Sequence, residues 1–211
     1  MKIEQPKLPK ELVSASFQDI YLEEDPELSH CHVSNATFDY ETIERVDLSS
    51  MIVTNSTFQH TAFPRIQLTD VVFEKCDFSN VDFSQANIHR VHFKDCKLLG
   101  ANFTEGRLSN VSFENSVLNL STFGDASLNK VVFEKSMLKN ADFYNCTLVK
   151  TVYLSCNIDG INFEETSLKG IDISTSEFGE IQVTMEKLRG CEVSVNQAIN
   201  LAGLMGLVIK E

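Results

Sequence analysis

From Val33 to Val183 every fifth residue is Phe, Leu, Ile, Val or Tyr, with no break in register. The position immediately after it is hydrophobic only at Leu99, Tyr144, Val149 and Leu154. A helix buries one stripe at a period near 3.6 and a half-buried strand alternates at 2, so neither yields this contrast. A period of five requires a chain that turns a corner every five residues. The 15 Phe in a chain without Trp fit one residue type filling one repeated slot.

A second signal lies two residues before each apolar centre. Cys31, Ala36, Val46, Met51, Ser56, Thr61, Ile66, Val71, Cys76, Val81, Ala86, Val91, Cys96, Ala101 and Gly106 stand there, and only Glu41 is out of character. A small residue can point inward beside its larger neighbour without crowding the axis. All six Cys occupy this slot. They are expected to be free buried thiols acting as small hydrophobes, with Cys76 and Cys96 one turn apart. Asp or Asn often lies between the two inward positions, where it can bond backbone groups at a turn.

Reading the centres at a spacing of 20 sorts them by type. One series is Ile43, Phe63, Phe83, Phe103, Phe123, Phe143, Phe163, Val183. A second is Leu48, Leu68, Ile88, Leu108, Leu128, Leu148, Leu168, Leu188. A third is Val33, Val53, Phe73, Phe93, Phe113, Phe133, Tyr153, Ile173, and the fourth begins Phe38, Phe58, Phe78, Leu98, Leu118, Leu138. The units Cys76-Asp77-Phe78-Ser79-Asn80 and Val81-Asp82-Phe83-Ser84-Gln85 resemble the pentapeptide-repeat pattern of small, Asp/Asn, Leu/Phe, polar, any. The resemblance implies an all-β fold, a right-handed quadrilateral parallel β-helix with four repeats per coil and about eight coils, closed by a C-terminal helix.

Three segments follow: residues 1–30 as an N-terminal tail and polar cap, 31–193 as the repeat β-helix, and 194–211 as a dimerisation helix with a short strand. The weakest repeat holds Tyr40, Glu41, Thr42, Glu44 and Arg45 and is expected to bulge as a small loop. Ser194 is placed to cap a helix and Gly206 to stop it. That helix is too apolar for a simple cap. Ile199, Leu201, Leu204, Met205, Leu207 and Ile209 are expected to form a symmetric dimer interface. The segments Gly190-Cys191-Glu192-Val193, Gln197-Ala198 and Leu204-Met205-Gly206-Leu207-Val208-Ile209 are similar to the ending of Qnr-type proteins. That similarity implies a dimer through the C-terminus that binds DNA gyrase and topoisomerase IV and protects them from quinolones. The larger second loop of those relatives has no counterpart here.

The net charge of −12 should repel nucleic acid and anionic membranes and attract basic partners. Residues 1–44 hold ten acids against three bases, 45–158 hold eleven of each, and 159–186 hold seven acids against Lys169. Asp159, Glu164, Glu165, Asp172, Glu177 and Glu180 are therefore the candidate partner-binding surface beside the dimer centre, a DNA mimic offered to a basic saddle. These acids fall on several sides, so no single phosphate-like row is evident. The partners expected are gyrase, topoisomerase IV and a second copy of the chain, with no direct nucleic-acid or membrane binding. With neither a secretory h-region nor a membrane-length apolar run, the chain is read as cytoplasmic.

No catalytic constellation, phosphate loop, dinucleotide fingerprint or nucleophile elbow is present in the sequence, and no enzyme activity, metal or cofactor is expected. His30-Cys31-His32 is the nearest approach to a metal cluster, but Cys31 points inward and its neighbours elsewhere. His89 and His92 read as an ordinary surface pair. The alternatives are a non-enzymatic scaffold or regulator that binds another cytoplasmic protein and, less favoured, a β-helix carbohydrate enzyme.

Overall fold

The structure is a computed structural model that describes residues 1–22 and 25–208. The described residues form ten strands: β1 Val13–Ala15, β2 Glu27–Ser29, β3 Cys31–Ser34, β4 Asp47–Thr54, β5 Gln67–Glu74, β6 Asn87–Lys94, β7 Arg107–Glu114, β8 Ser127–Glu134, β9 Thr147–Val149 and β10 Val152–Leu154. All pair in parallel in one sheet, ordered β1-β3-β4-β5-β6-β7-β8-β10, with β2 on β4 and β9 on β8. Leu48 pairs with Leu68, Leu68 with Ile88, Ile88 with Leu108 and Leu108 with Leu128, so the rise of one coil is 20 residues. The other two sides carry single parallel bridges at the same spacing, such as Asp77 with Lys97 and Asp82 with Asn102. The result is a four-sided parallel β-helix.

The corner chemistry explains the period. Every residue whose number is a multiple of five, from His30 to Gly170, has a left-handed φ; 26 of these are not glycine. The left-handed region costs an L-residue roughly 1–2 kcal/mol. Asn and Asp tolerate it best and hold many of these corners. The repeated strain is offset by what each corner allows, namely two side chains turned inward per five residues. Phenylalanines stack down one side, with centroids 4.8 Å apart for Phe103–Phe123 and 4.5 Å for Phe123–Phe143. The third side repeats this, with Phe93–Phe113 at 4.9 Å and Phe113–Phe133 at 5.0 Å. Each buried ring contributes roughly 1.5–3 kcal/mol of transfer free energy. In the small slot, buried hydroxyls join coils. Ser116 donates to the Glu114 carbonyl at 2.9 Å and accepts from the Cys96 amide at 3.1 Å.

Several expectations are corrected. The solenoid has about seven turns rather than eight. After Ile173 the coil carries single bridges and a helical turn, α1, at Met185–Leu188. Residues 39–45 do not bulge. The Tyr40 amide donates to the Gln59 carbonyl at 2.9 Å and Arg45 to Pro64 at 3.2 Å, which keeps the weakest repeat in register. Glu41 turns out to solvent and accepts from the Tyr21 hydroxyl at 3.3 Å.

Residues 1–30 are not a polar cap. A 3-10 helix at Phe17–Tyr21, with a Ser16–Asp19 capping box, plugs the open end with Phe17 and Ile20. Phe17 lies edge-on to Phe38 at 4.6 Å. Before it, residues 1–10 run back along the rod as a strap. The Lys7 amide donates to Asp70 at 2.8 Å and the Glu4 amide to Asn110 at 3.1 Å. Ile3 is buried where the strap crosses the third side, in a groove lined also by His92, Val132 and Val152.

Candidate functional site

With no cleft built from loops, the surfaces available are the four sides and the two ends. Each outward row is set by the same 20-residue register as the core, so charge is read down a side rather than along the chain. On the phenylalanine side, the repeats 81–85, 101–105, 121–125, 141–145 and 161–165 carry Asp82, Glu105, Asp125, Asp142, Glu164 and Glu165 and no base. Hydrogen bonds hold the acids in line. Asn102 donates to Asp82 at 2.9 Å and Asn162 to Asp142 at 2.8 Å. At the corner, Gln85 donates to Glu105 at 2.9 Å and Asn145 to Asp125 at 2.6 Å. The acids span four coil rises, about 19 Å at roughly 4.8 Å per coil.

The adjoining leucine side has the opposite sign. Its repeats 106–110, 126–130, 146–150 and 166–170 hold Arg107, Lys130, Lys150 and Lys169 and no acid; 186–190 adds Lys187 and Arg189 against Glu186. The even balance of residues 45–158 therefore conceals a partition between sides.

The six acids expected to act together are divided. Asp159, Glu177 and Glu180 share the fourth side, Glu164 and Glu165 lie on the phenylalanine side, and Asp172 is on the third. Asp159 is committed to the next coil, accepting from the Gly179 amide at 2.8 Å and the Glu180 amide at 3.3 Å. Those two amides hold its carboxyl below the usual range. The Ser174 hydroxyl and amide do the same for Asp172. Glu165 pairs with Lys187 at 3.1 Å. Only Glu164 and Glu165 belong to the continuous acidic side; Asp82, Glu105, Asp125 and Asp142 were missed. The signal was available, because the 20-residue spacing that sorts the core sorts the surface too.

The C-terminal end is apolar. Helix α2, Val195–Leu201, starts at a Ser194–Gln197 capping box and runs into a 3-10 turn, Ala202–Met205, that stops at Gly206 with φ 71. Gln197 is buried and closes the last coil, its amide donating to the Ile173 carbonyl at 2.8 Å and the Ser176 carbonyl at 2.6 Å. Leu201 is 8% exposed and packs on its own coil, so it is not available to a partner. Ile199, Leu204, Met205 and Leu207 are 47%, 42%, 57% and 56% exposed. Ile209 lies outside the described residues.

Other candidates are quiet. Cys31 is buried and the His32 ring bonds the Thr54 hydroxyl at 3.0 Å. Among the described residues no group of three or more His, Cys, Asp or Glu could hold a metal ion. His92 is not a surface partner of His89. It lies in the groove beneath the strap, its Nε2 has no hydrogen-bond partner within the protein, and burial lowers its pKa. The cysteines are free, and burial pushes the Cys146 thiol up to about 12 and Cys156 to about 11. Among the described residues no helix is long and apolar enough to cross a membrane.

This geometry defines the class of fold: a four-sided parallel β-solenoid built on a five-residue repeat. The pentapeptide repeat region model matches residues 66–143. Among solved structures, a trypsin-treated variant of QnrB1, a plasmid-mediated fluoroquinolone resistance protein, is 20% identical. The match covers 87% of this chain and 100% of that one, at a TM-score of 0.55. A second trypsin-treated QnrB1 variant, also 20% identical, matches over 84% of this chain and 99% of that one, again at 0.55. HetL, a pentapeptide repeat protein involved in heterocyst differentiation regulation from the cyanobacterium Nostoc sp. Strain PCC 7120, is 16% identical over 80% of this chain and 83% of its own, at 0.43. No curated protein matches the sequence.

Proposed function

We propose that this chain is a Qnr-type, non-enzymatic DNA mimic of the cytoplasm. It binds DNA gyrase and topoisomerase IV and protects them from quinolones, as a homodimer joined at its C-termini. The observation that carries the reading is the acidic phenylalanine side. Six acids over about 19 Å give one negative charge per roughly 3 Å, about half the axial density of duplex DNA. A basic saddle that holds DNA would accept such a row. Ile199, Leu204, Met205 and Leu207 would join two rods end to end and double its length. The likeness to QnrB1 in fold agrees with this reading.

The test is a gyrase supercoiling assay with ciprofloxacin, titrating the protein. Rescue of supercoiling is expected, and it should weaken when Glu105, Asp125 and Glu164 are changed together to the amides. No rescue at any concentration, with no binding to gyrase, would sink the reading.

A scaffold or regulator that binds another protein is the second reading. It is favoured by an apolar patch on the fourth side, where Leu120 is 57% and Met137 41% exposed beside Leu99 and Val117. Isolation of a different stable partner, lost on Met137→Glu, would support it.

A further inference from the structure

The leucine side is not used by a DNA mimic, and its chemistry is the reverse of one. Arg107, Lys150, Lys169 and Arg189 are exposed there and Lys130 is half-buried. Among the described residues, Arg107, Lys150, Lys169 and Arg189 have no carboxylate within ion-pair distance; Lys130 is 3.9 Å from Glu4 of the strap. Between the bases lie exposed hydroxyl and amide groups: Ser127, Asn129, Thr147 and Ser167. The only outward apolar residue of this stretch is Val149. The corner shared with the acidic side carries Glu105, Asp125 and Glu165; the opposite edge, bordered on the third side by Asp172 and Glu192, carries Lys130, Lys150, Lys169 and Arg189.

We infer that this edge of the leucine side binds the sugar-phosphate backbone of duplex DNA. A protein partner would be expected to find apolar or aromatic anchors at the centre of its footprint, and the surface offers none. Single-stranded nucleic acid would need aromatic platforms for its bases, and none stands here. Lys, Arg, Ser, Thr and Asn on a flat, evenly spaced surface are the groups that contact phosphates and read no sequence. The bases extend over about three to four coil rises, roughly 14–19 Å, which spans about four to six base pairs. The overall charge of −12 repels DNA at long range, most strongly at low salt, so binding rests on the short-range phosphate contacts, which weaken as salt rises. One rod would thus present a nucleic-acid-like side and a nucleic-acid-binding side 90° apart. The inference stands on the leucine side alone and does not require the topoisomerase reading.

The experiment uses the full chain and a labelled duplex of arbitrary sequence, followed by fluorescence anisotropy without any topoisomerase. Binding is expected at about 25 mM salt, with log affinity falling against log salt at a slope near −3 to −4 for about four phosphate contacts. Lys150→Glu with Lys169→Glu should weaken binding at least tenfold, while Glu164→Gln with Glu165→Gln leaves it equal or tighter. Circular dichroism of each variant reports that the solenoid is intact. No binding of the unaltered chain at low salt overturns the inference, as does equal binding by the Lys150→Glu, Lys169→Glu variant. Poly-glutamate competing as well as DNA, charge for charge, overturns it in favour of an acidic protein segment. Gyrase protection without DNA binding would sink this inference and leave the proposed function standing.

Discussion

Replacing Gln197 with Met tests how the C-terminal end is held. The thioether keeps most of the volume but removes three bonds: the two donated to Ile173 and Ser176, and the one its Oε1 accepts from the Ser194 amide at 2.8 Å. Each is worth roughly 1 kcal/mol net, and the two carbonyls left in the closed end add desolvation cost, so the loss is about 2–4 kcal/mol. In a solenoid each repeat contacts only its neighbours, so the loss is confined to the last coil. Amide exchange in residues 195–202 should therefore rise about thirty- to a thousandfold, at 1.4 kcal/mol per factor of ten, with no change near residues 90–130. Because α2 carries Ile199 and leads into Leu204 and Met205, the dimer proposed above should weaken in sedimentation equilibrium. A rise in exchange below threefold, or one spread evenly over the rod, would refute the assignment of Gln197 as the closing bolt.

Tyr153 fills a phenylalanine position, stacked on Phe133 at 5.1 Å, and its buried hydroxyl has no partner within the protein. Tyr153→Phe should raise stability by about 1–2 kcal/mol in urea unfolding. At Gly160, φ is 69 and a Cβ would overlap the Asn140 side-chain oxygen. Gly160→Ala should cost about 1–2 kcal/mol for its left-handed φ plus the overlap, and adding Asn140→Ala should recover only the overlap part; strict additivity of the two would count against the contact. Burial raises Cys146 from 9.0 to about 12 and Cys191 from 9.0 to about 11. The unfolded chain then loses thiol protons that the folded chain keeps. Stability should be full below pH 9 and fall progressively toward pH 11–12, less steeply in Cys146→Ala.

Much of this architecture is legible because a solenoid makes local pattern and global packing the same thing. The five-residue register places every stacked Phe, and the Ser194 and Gly206 signals mark the last helix. What was hidden depended on longer or weaker signals. The left-handed corners fall on residues as unlike as Leu120, Glu105 and Lys150, so no residue type announces them. The strap has no periodicity, and its anchors, Asp70 and Asn110, lie far off in the sequence. That carboxylate holds Arg90 at 2.6 Å and the Lys7 amide at 2.8 Å, on the far side of a long sequence gap. Leu201 could not be told from Ile199 by spacing, since which of two helical neighbours turns inward depends on how Gln197 seats the helix. Helix α1 replaces a strand-like corner where the repeat still looks intact through Leu188 and Val193.

The division of charge bears on how such a rod would act. A helix pairs opposite charges three or four residues apart, so charge balance along its sequence is balance in space. Here residues five apart stand on different sides and residues 20 apart stand together, so a segment with equal acids and bases can be strongly polar across its width. Six acids on one side and, on the next, six bases against Glu186 give the rod a transverse dipole in addition to its net charge. In the field of a basic saddle that dipole exerts a torque as well as an attraction, turning the acidic side inward before contact. Charge reversals on the leucine side should therefore slow association with such a partner without touching the contact itself. Neutralising Asp82, Glu105 or Asp125 should instead speed dissociation, and measuring both rates on the same partner separates steering from binding.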